Sequence, residues 1–527
     1  MEEAEMVDLL KIPDPPSCLF DLTRKFGSDP PLKRILQIIL SQDCHTILIE
    51  NEYVDEEWAS EHNLFYSKIF KKPPSKTKRL HFFTANLNQE DLANLGDYKQ
   101  TYLGYCVLRP LESRRVVNAV IKPIMDKNVP KKWFVLCKEV FPIKIKIDEG
   151  NVQHLEVTGF PFIQQDGQLG CCSHVALAVV DRFLLSREKP ERKHKKDKPF
   201  LVGDIVESVS LVPELQRLIP TEGLLPVQIS EALKAMGYYP LVYEYGQGRE
   251  RLFPPERIIY HYLESKLPVI VGIPTATAKH ALTVIGHSFE PELWWAIAQK
   301  PYYNRRPSGV DYHCSTTWLQ NFIVQDDNFG PYLTIPKEFI WAAEREELVV
   351  IVPLPANVNI KGEDAETIAY TLVRSAATLR KMEKKNTHEE EKDETDEKIS
   401  GEDVSKKASE WLNIFYEHLE SDDLVLRTWL LESGVFKKKF ISPTVKDHYQ
   451  DLKMPKKIWL TEVSIPELFC QTRLRLGEVI IDPTGAKFRT SFLAIHLPGF
   501  VITRNVDTEE LSFSEVENDQ PFRHVMR

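Results

Sequence analysis

The 527-residue sequence predicts an α+β protein, and three observations carry that expectation. The first 150 residues alternate strand-like apolar segments, HTILIENEYV, QTYLGYCVLRPL and KKWFVLCKEVFPIKIKI, with short helical ones. The middle of the chain holds two helix-then-strand units. LLPVQISEALKAMGYYPLVYEY reads as a helix ended by Gly237 and then a strand, because glycine accepts the left-handed turn that closes a helix. ERIIYHYLESKLPVIVGIPT repeats the plan, with Pro268 as the stop before a near-continuous apolar strand. KHALTVIGH follows within a few residues and should lie beside that strand as its antiparallel neighbour.

A chain of this length exceeds one ordinary domain, and hydrophobic residues at 43% are ample for several cores. The pattern divides into an N-terminal α+β module of unassigned role over 1–150, a central domain over 151–357, a helix and charged linker over 358–407, and a C-terminal α+β module over 408–527. The linker is the sharpest of these features. Ile368, Leu372, Ala376 and Leu379 share one helical stripe, which runs into KMEKKNTHEEEKDETDEKISGED. That stretch has almost nothing apolar to bury, so a flexible linker or a solvated helix extension is expected. The last module opens helical, ASEWLNIFYEHLE, and closes in strand-like runs such as HLPGFVITRNV.

Net charge is −10, from 67 basic and 77 acidic residues, which argues against nucleic acid as a partner. MEEAEMVDLL has no apolar core of signal-peptide kind, and no stretch approaches the roughly 18 apolar residues of a membrane span. A soluble, cytoplasmic protein without a membrane partner is expected. Of eight cysteines, Cys18, Cys44, Cys106, Cys137 and Cys470 stand alone and read as buried small hydrophobes. The basic run REKPERKHKKDK (Arg187 to Lys198) reads as a solvated loop or a docking surface for an acidic partner.

The chemistry gathers in three places. QQDGQLGCCSHVALAVV delivers Cys171 and Cys172 onto the first turn of an apolar helix, where free N–H groups and the dipole favour a thiolate. His280 opens KHALTVIGH, and Asp326 and Asp327 end the strand of FIVQDDNFGPY. Cysteine, histidine and acid, in that order, make a nucleophile, a base and an orienting group. His287, seven residues beyond His280, falls on the opposite strand face and reads as structural. Glu290 to Leu319 form an insertion whose Trp294, Trp295, Tyr302 and Tyr303 read as a lid, a substrate wall or a satellite packing cluster. Asp482, after LGEVII, reads as a plain turn.

GQLGCCSHVALAVV resembles the nucleophile turn of papain-like cysteine peptidases. The order of elements is similar to the compact bacterial members that process double-glycine leader peptides, over roughly residues 160–353. The resemblance implies a helix bearing the nucleophile, packed on an antiparallel sheet bearing base and acid, between two flanking modules. It favours Cys172 as nucleophile, because Gly170-Cys171-Cys172 then matches the family's glycine–small–cysteine turn and Ala176 to Val179 fall at packing positions. Gln165 would supply the oxyanion donor. It keeps the family's interval to Cys171 and lies one residue too far from Cys172, where Asp166 takes the expected place, so Cys171 stays open and Gln168 is a second amide. An aspartate aimed at a developing oxyanion would repel it. His280 takes the base's position. The acid is Asp326 by the bacterial pattern, or Asp327 if Asp327-Asn328-Phe329-Gly330 matches papain's asparagine–serine–tryptophan–glycine turn.

The implied activity is cleavage of a peptide or amide bond through a thioester, with no cofactor and a protein or peptide substrate; beside it, restraint of access by the aromatic insertion or a flanking module is expected, with a regulatory protein partner as a further option. The same residues would serve an amine-accepting acyltransferase. Two other readings stand beside it. One is an inactive scaffold of this fold that binds a protein. The other is a zinc site drawn from Cys171, Cys172, His174, His280, His313 and Cys314, although structural zinc prefers ligands paired about two to four residues apart.

Overall fold

The computed structural model describes residues 6–124, 133–188, 197–209, 223–246, 253–274, 279–289, 303–305, 310–341, 347–390, 402–469, 474–485, 491–516 and 520–523. The chain divides into two compact units: one of Met1–Glu250, Lys266–Ser288 and Asn321–Pro355, and one of Arg251–Ser265, Phe289–Gln320 and Ala356–Arg527. Both helices and antiparallel sheets are abundant, so the fold is α+β as expected. Among the described residues no helix is long and apolar enough to cross a membrane.

The first unit is organised on two sheets. Val7–Lys11, Thr46–Tyr53, Thr77–Phe83, Tyr102–Leu108 and Val116–Ile121 form an antiparallel meander, and the short strand Phe162–Ile163 pairs with its last member. Val116–Ile121 is buried at every position, which is why its sequence VVNAVI shows little inside–outside alternation. The second sheet runs in the order Tyr239–Tyr245, Leu348–Leu354, Val269–Pro274, Lys279–Phe289, Leu319–Asp326 and Gly330–Pro336, with Trp133–Val135 paired to Lys279–Phe289. The expected antiparallel pairing is present: Val269 faces Val284 and Ile273 faces His280. Gly237, just past the helix Pro226–Ala235, has φ +88°, the conformation that a helix-closing glycine supplies.

The helix Cys172–Arg187 carries apolar residues on all sides, so it can only be stable when enclosed. Val175, Ala176 and Val179 line one small cavity together with Phe162 and Ile163 of one sheet and Ala281 and Thr283 of the other. Phe183 packs on Phe160 with ring centroids 4.9 Å apart.

The second unit holds a sheet in the order Tyr303–Arg305, Val310–Cys314, Val425–Glu432, Lys457–Ser464, Gly477–Ile481, Phe492–Leu497, Phe500–Arg504 and Leu511–Glu515. Its first two strands come from the insertion between His280 and the acids, and His313 sits opposite Val425 in a parallel pair. Trp294, Trp295 and Tyr302 lie outside the described residues. The helix Pro255–Glu264, the opening half of the second helix–strand unit, also belongs here, where Arg257 meets Glu366 at 2.8 Å. That helix is buried at every position, and its polar stripe, Arg257, His261 and Glu264, is spent on buried partners: Glu366, the Thr428 carbonyl and Arg427. The helix Gly362–Glu390 continues well into the charged stretch, and 391–401 lie outside the described residues. Asp482 closes a turn by accepting the Thr484 N–H at 2.8 Å, as read from the sequence.

Candidate active site

The loop from Gln164 to Gly170 sets where the cysteine helix begins. Asp166 is the organiser. Its carboxylate accepts the backbone N–H groups of Gln168, Leu169 and Gly170 at 2.7–3.3 Å and the Tyr66 hydroxyl at 3.0 Å. Both oxygens are thereby used inside the loop, which answers the concern that an aspartate in this place would face the oxyanion. Arg109 ties the same segment down. It forms a two-pronged pair with Glu61 (2.6 and 2.8 Å) and donates to the Gln164 carbonyl at 2.9 Å.

Cys171 is the N-cap of the helix, with extended backbone (φ −108°, ψ 173°). Its sulfur takes the N–H of His174, and its own N–H points to His174 Nδ1 at 3.4 Å. The two residues therefore cap each other reciprocally. Burial pushes His174 down to about 4, so its ring is a neutral acceptor. Cys172 is the first helical residue and is partly exposed. A cavity of about 10 Å³, room for one water molecule, lies beside it and is lined by Ala176, Thr283, Gln325 and Asp327 among others.

His280, at the start of its strand, turns toward both Cys172 and the acids. Nε2 lies 3.2 Å from Asp326 Oδ1 and 3.7 Å from Asp327 Oδ1. With that nitrogen facing the carboxylates, Nδ1 is the one left to face the Cys172 thiol, which favours the charged ring. Burial would lower the imidazole's pKa. The neighbouring Asp326 carboxylate and Cys172 thiol, with the charge of Asp327, outweigh it and raise the pKa to about 10. The two acids differ in surroundings. Asp326 Oδ1 accepts the N–H groups of Asn328 (2.9 Å) and Phe329 (3.3 Å), which shapes the turn. Asp327 is 5% exposed and, among the described residues, neither of its oxygens has a hydrogen-bond donor; burial pushes its carboxyl up to about 7, against the pull of His280.

Gln165 is placed at the same end. Its Nε2 donates to Asn328 Oδ1 at 2.7 Å, so it is fastened to the turn that bears the acids. Gln168 is exposed, with only its backbone N–H on Asp166. The structure thus brings Cys172, His280, Asp326 and Asp327 together, sets Gln165 on the Asp326 turn, and uses Cys171 as a cap. His287 is buried against the Phe134 ring, with centroids 5.9 Å apart.

Among the described residues no three of the six in the zinc reading form a ligand group. His174 serves Cys171, whereas His313 and Cys314 belong to the second unit, where His313 Nε2 meets Asp423 Oδ1 at 2.6 Å. Two other groups have ligand atoms within 4.8 Å of one another: His280 with Asp326 and Asp327, and the buried His261, Cys314 and Glu366. In the latter the Arg257 guanidinium already supplies positive charge to Glu366.

Sequence reasoning missed Tyr66, Arg109 and Asn328. The buried aromatic and arginine carried no local signal, while Asn328 stood beside the acids and was read only as turn chemistry.

No family model and no curated protein sequence matches the chain. Among solved structures it is similar to the peptidase domain of Streptococcus ComA, a bifunctional ABC transporter involved in a quorum-sensing pathway. That match has 13% identity and a TM-score of 0.21, and covers 36% of this chain and 99% of that one. At that level of likeness, any case for activity rests on the side chains described above.

Proposed function

We propose that this chain is a cysteine peptidase or amidase acting through a thioester at Cys172. The observation that supports it best is the placement of Cys172, on the first turn of its helix, beside an imidazole whose Nε2 lies 3.2 and 3.7 Å from two carboxyls. His280 takes the thiol proton, and the thiolate attacks the scissile carbonyl carbon. The carbonyl oxygen becomes an oxyanion facing the Cys172 N–H and the Gln165 amide. The intermediate collapses with C–N cleavage, and the proton on His280 leaves with the amine. Water then enters, loses a proton to His280 and splits the thioester. Asp326 holds the ring through Nε2, Asp327 stands beside it, and Cys171 stays a cap.

The test is iodoacetamide labelling across pH, with the modified residue assigned by mass spectrometry, on wild type and His280→Ala. Fast labelling of Cys172 at pH 6 that disappears in the variant is expected. Labelling that rises only above about pH 8, the range of an ordinary thiol, and ignores His280 would remove the enzyme and leave a binding scaffold.

A further inference from the structure

The turn that carries the acids also reaches across the site. Asp326 accepts the Asn328 N–H at 2.9 Å, and Asn328 Oδ1 in turn accepts from Gln165 Nε2 at 2.7 Å. A continuous path therefore runs from the His280 ring through Asp326 and Asn328 to the Gln165 amide. We infer that Asn328 is a positioning residue that aims the Gln165 amide at the oxyanion; this rests on the reading of Cys172 as nucleophile. A primary amide has two N–H bonds on one nitrogen. Committing one of them to Asn328 Oδ1 fixes the plane of the Gln165 side chain and leaves the other N–H to donate. Without an acceptor at 328, the half-buried Gln165 side chain is free to rotate, and its carbonyl would face the reacting oxygen as often as its N–H does. Donors contribute to catalysis in proportion to how firmly they are held in advance. Asn328 is itself exposed, so replacing it removes no core packing.

Two reagents separate this role from a structural one. Iodoacetamide alkylates the thiolate by displacement at carbon: the C–S bond forms, iodide leaves, and no oxyanion arises. With p-nitrophenyl acetate, Cys172 Sγ bonds to the carbonyl carbon while the carbonyl electron pair moves onto oxygen. That pair then returns as the ester C–O bond breaks and p-nitrophenolate departs. Only the second reaction needs the Gln165 amide.

The expected result is that Gln165→Ala slows the p-nitrophenolate burst by about 100-fold and Asn328→Ala by about tenfold, the range for losing or loosening one oxyanion donor. Iodoacetamide rates at the same pH should stay near wild type in both. Asn328→Asp keeps an acceptor and should recover most of the burst rate. A burst unchanged in Asn328→Ala while Gln165→Ala is slow would overturn the positioning role. Equal slowing of both reagents would overturn it too, since that marks damage to the Cys172–His280 pair. Slow iodoacetamide labelling of the wild type would instead remove the enzyme reading itself, and this role with it.

Discussion

Tyr66 and Asp166, 100 residues apart in the chain, meet at 3.0 Å, with the phenol donating to the carboxylate that also gathers three backbone N–H groups of the loop before Cys172. A carboxylate so used behaves like a bound anion in a nest of amides. Asp166→Ala leaves those donors in a buried place without acceptors and should cost about 2–3 kcal/mol, seen as a lower thermal midpoint. Tyr66→Phe removes a single donor and should cost about 1 kcal/mol. Equal stability of Asp166→Ala and wild type would show that the loop is held by something else.

Alkylation should be selective. Burial raises the thiol pKa of Cys44 to about 12 and pushes those of Cys106 and Cys137 up as well. Near neutral pH iodoacetamide should therefore mark Cys172 and leave these three untouched in the folded protein. Modification of any of them at a comparable rate would contradict the packing described for the first unit.

Cys171 and Cys172 should separate cleanly on substitution. Serine is a strong N-cap, so Cys171→Ser should keep the helix start, change stability by no more than about 0.5 kcal/mol, and leave the reactivity of Cys172 in place. Cys172→Ala should abolish labelling and any turnover. A Cys171→Ser protein with lost activity and intact Cys172 labelling would reassign the nucleophile.

Asp327 contributes stability that falls as pH rises. Its carboxyl is raised from an ordinary 3.8 to about 7 in the folded state, so folding takes up a proton between those values. A raised pKa gives stability that is full below the unfolded value and is lost as pH climbs through the folded one. Asp327→Asn should flatten the decline of the thermal midpoint between pH 4 and 7. His280 follows the same sign in a higher window, from 6.5 to about 10, so His280→Ala should flatten the curve there. A wild type and an Asp327→Asn protein with parallel curves over pH 4–7 would rule out the buried acid as a source.

Asp326 supports both the ring and the turn. Asp326→Ala should lower turnover by about 10²–10⁴-fold, as loss of an orienting carboxylate does, while Cys172 keeps its place on the helix. Asp327→Asn is the control for this experiment. It should keep more of the rate than Asp326→Ala does, because Asp327 lies farther from Nε2 (3.7 against 3.2 Å).

The parts legible in the sequence were those with short-range signals. The CCSHVALAVV helix start, the KHALTVIGH strand beside VIVGIP and the acids at the end of FIVQ are each fixed by a few neighbouring residues, and each appears where the pattern placed it. What stayed hidden were pairings across long separations. The Gln165–Asn328 bond joins residues 163 apart, and nothing local in either stretch names the other. The helix Pro255–Glu264 was legible as a helix but not as a member of the second unit, because the partners of its Arg257, His261 and Glu264 stripe, Glu366, the Thr428 carbonyl and Arg427, lie more than 100 residues downstream. Cys171 shows the same limit at one position: whether a thiol caps a helix or attacks a carbonyl depends on a single backbone conformation.

The links from the early chain into the site have an evolutionary side. Arg109 grips the Gln164 carbonyl, Tyr66 grips Asp166, and Arg34 donates to the carbonyls of Pro331 and Tyr332 just past the acids. Domain shuffling moves pieces of sequence whose surfaces survive the cut. A cut near residue 150 would instead bare buried acceptors on the loop and the turn at once. The cysteine, the histidine and the acids should therefore be inherited together with the meander that precedes them, as one block whose two parts diverge in step.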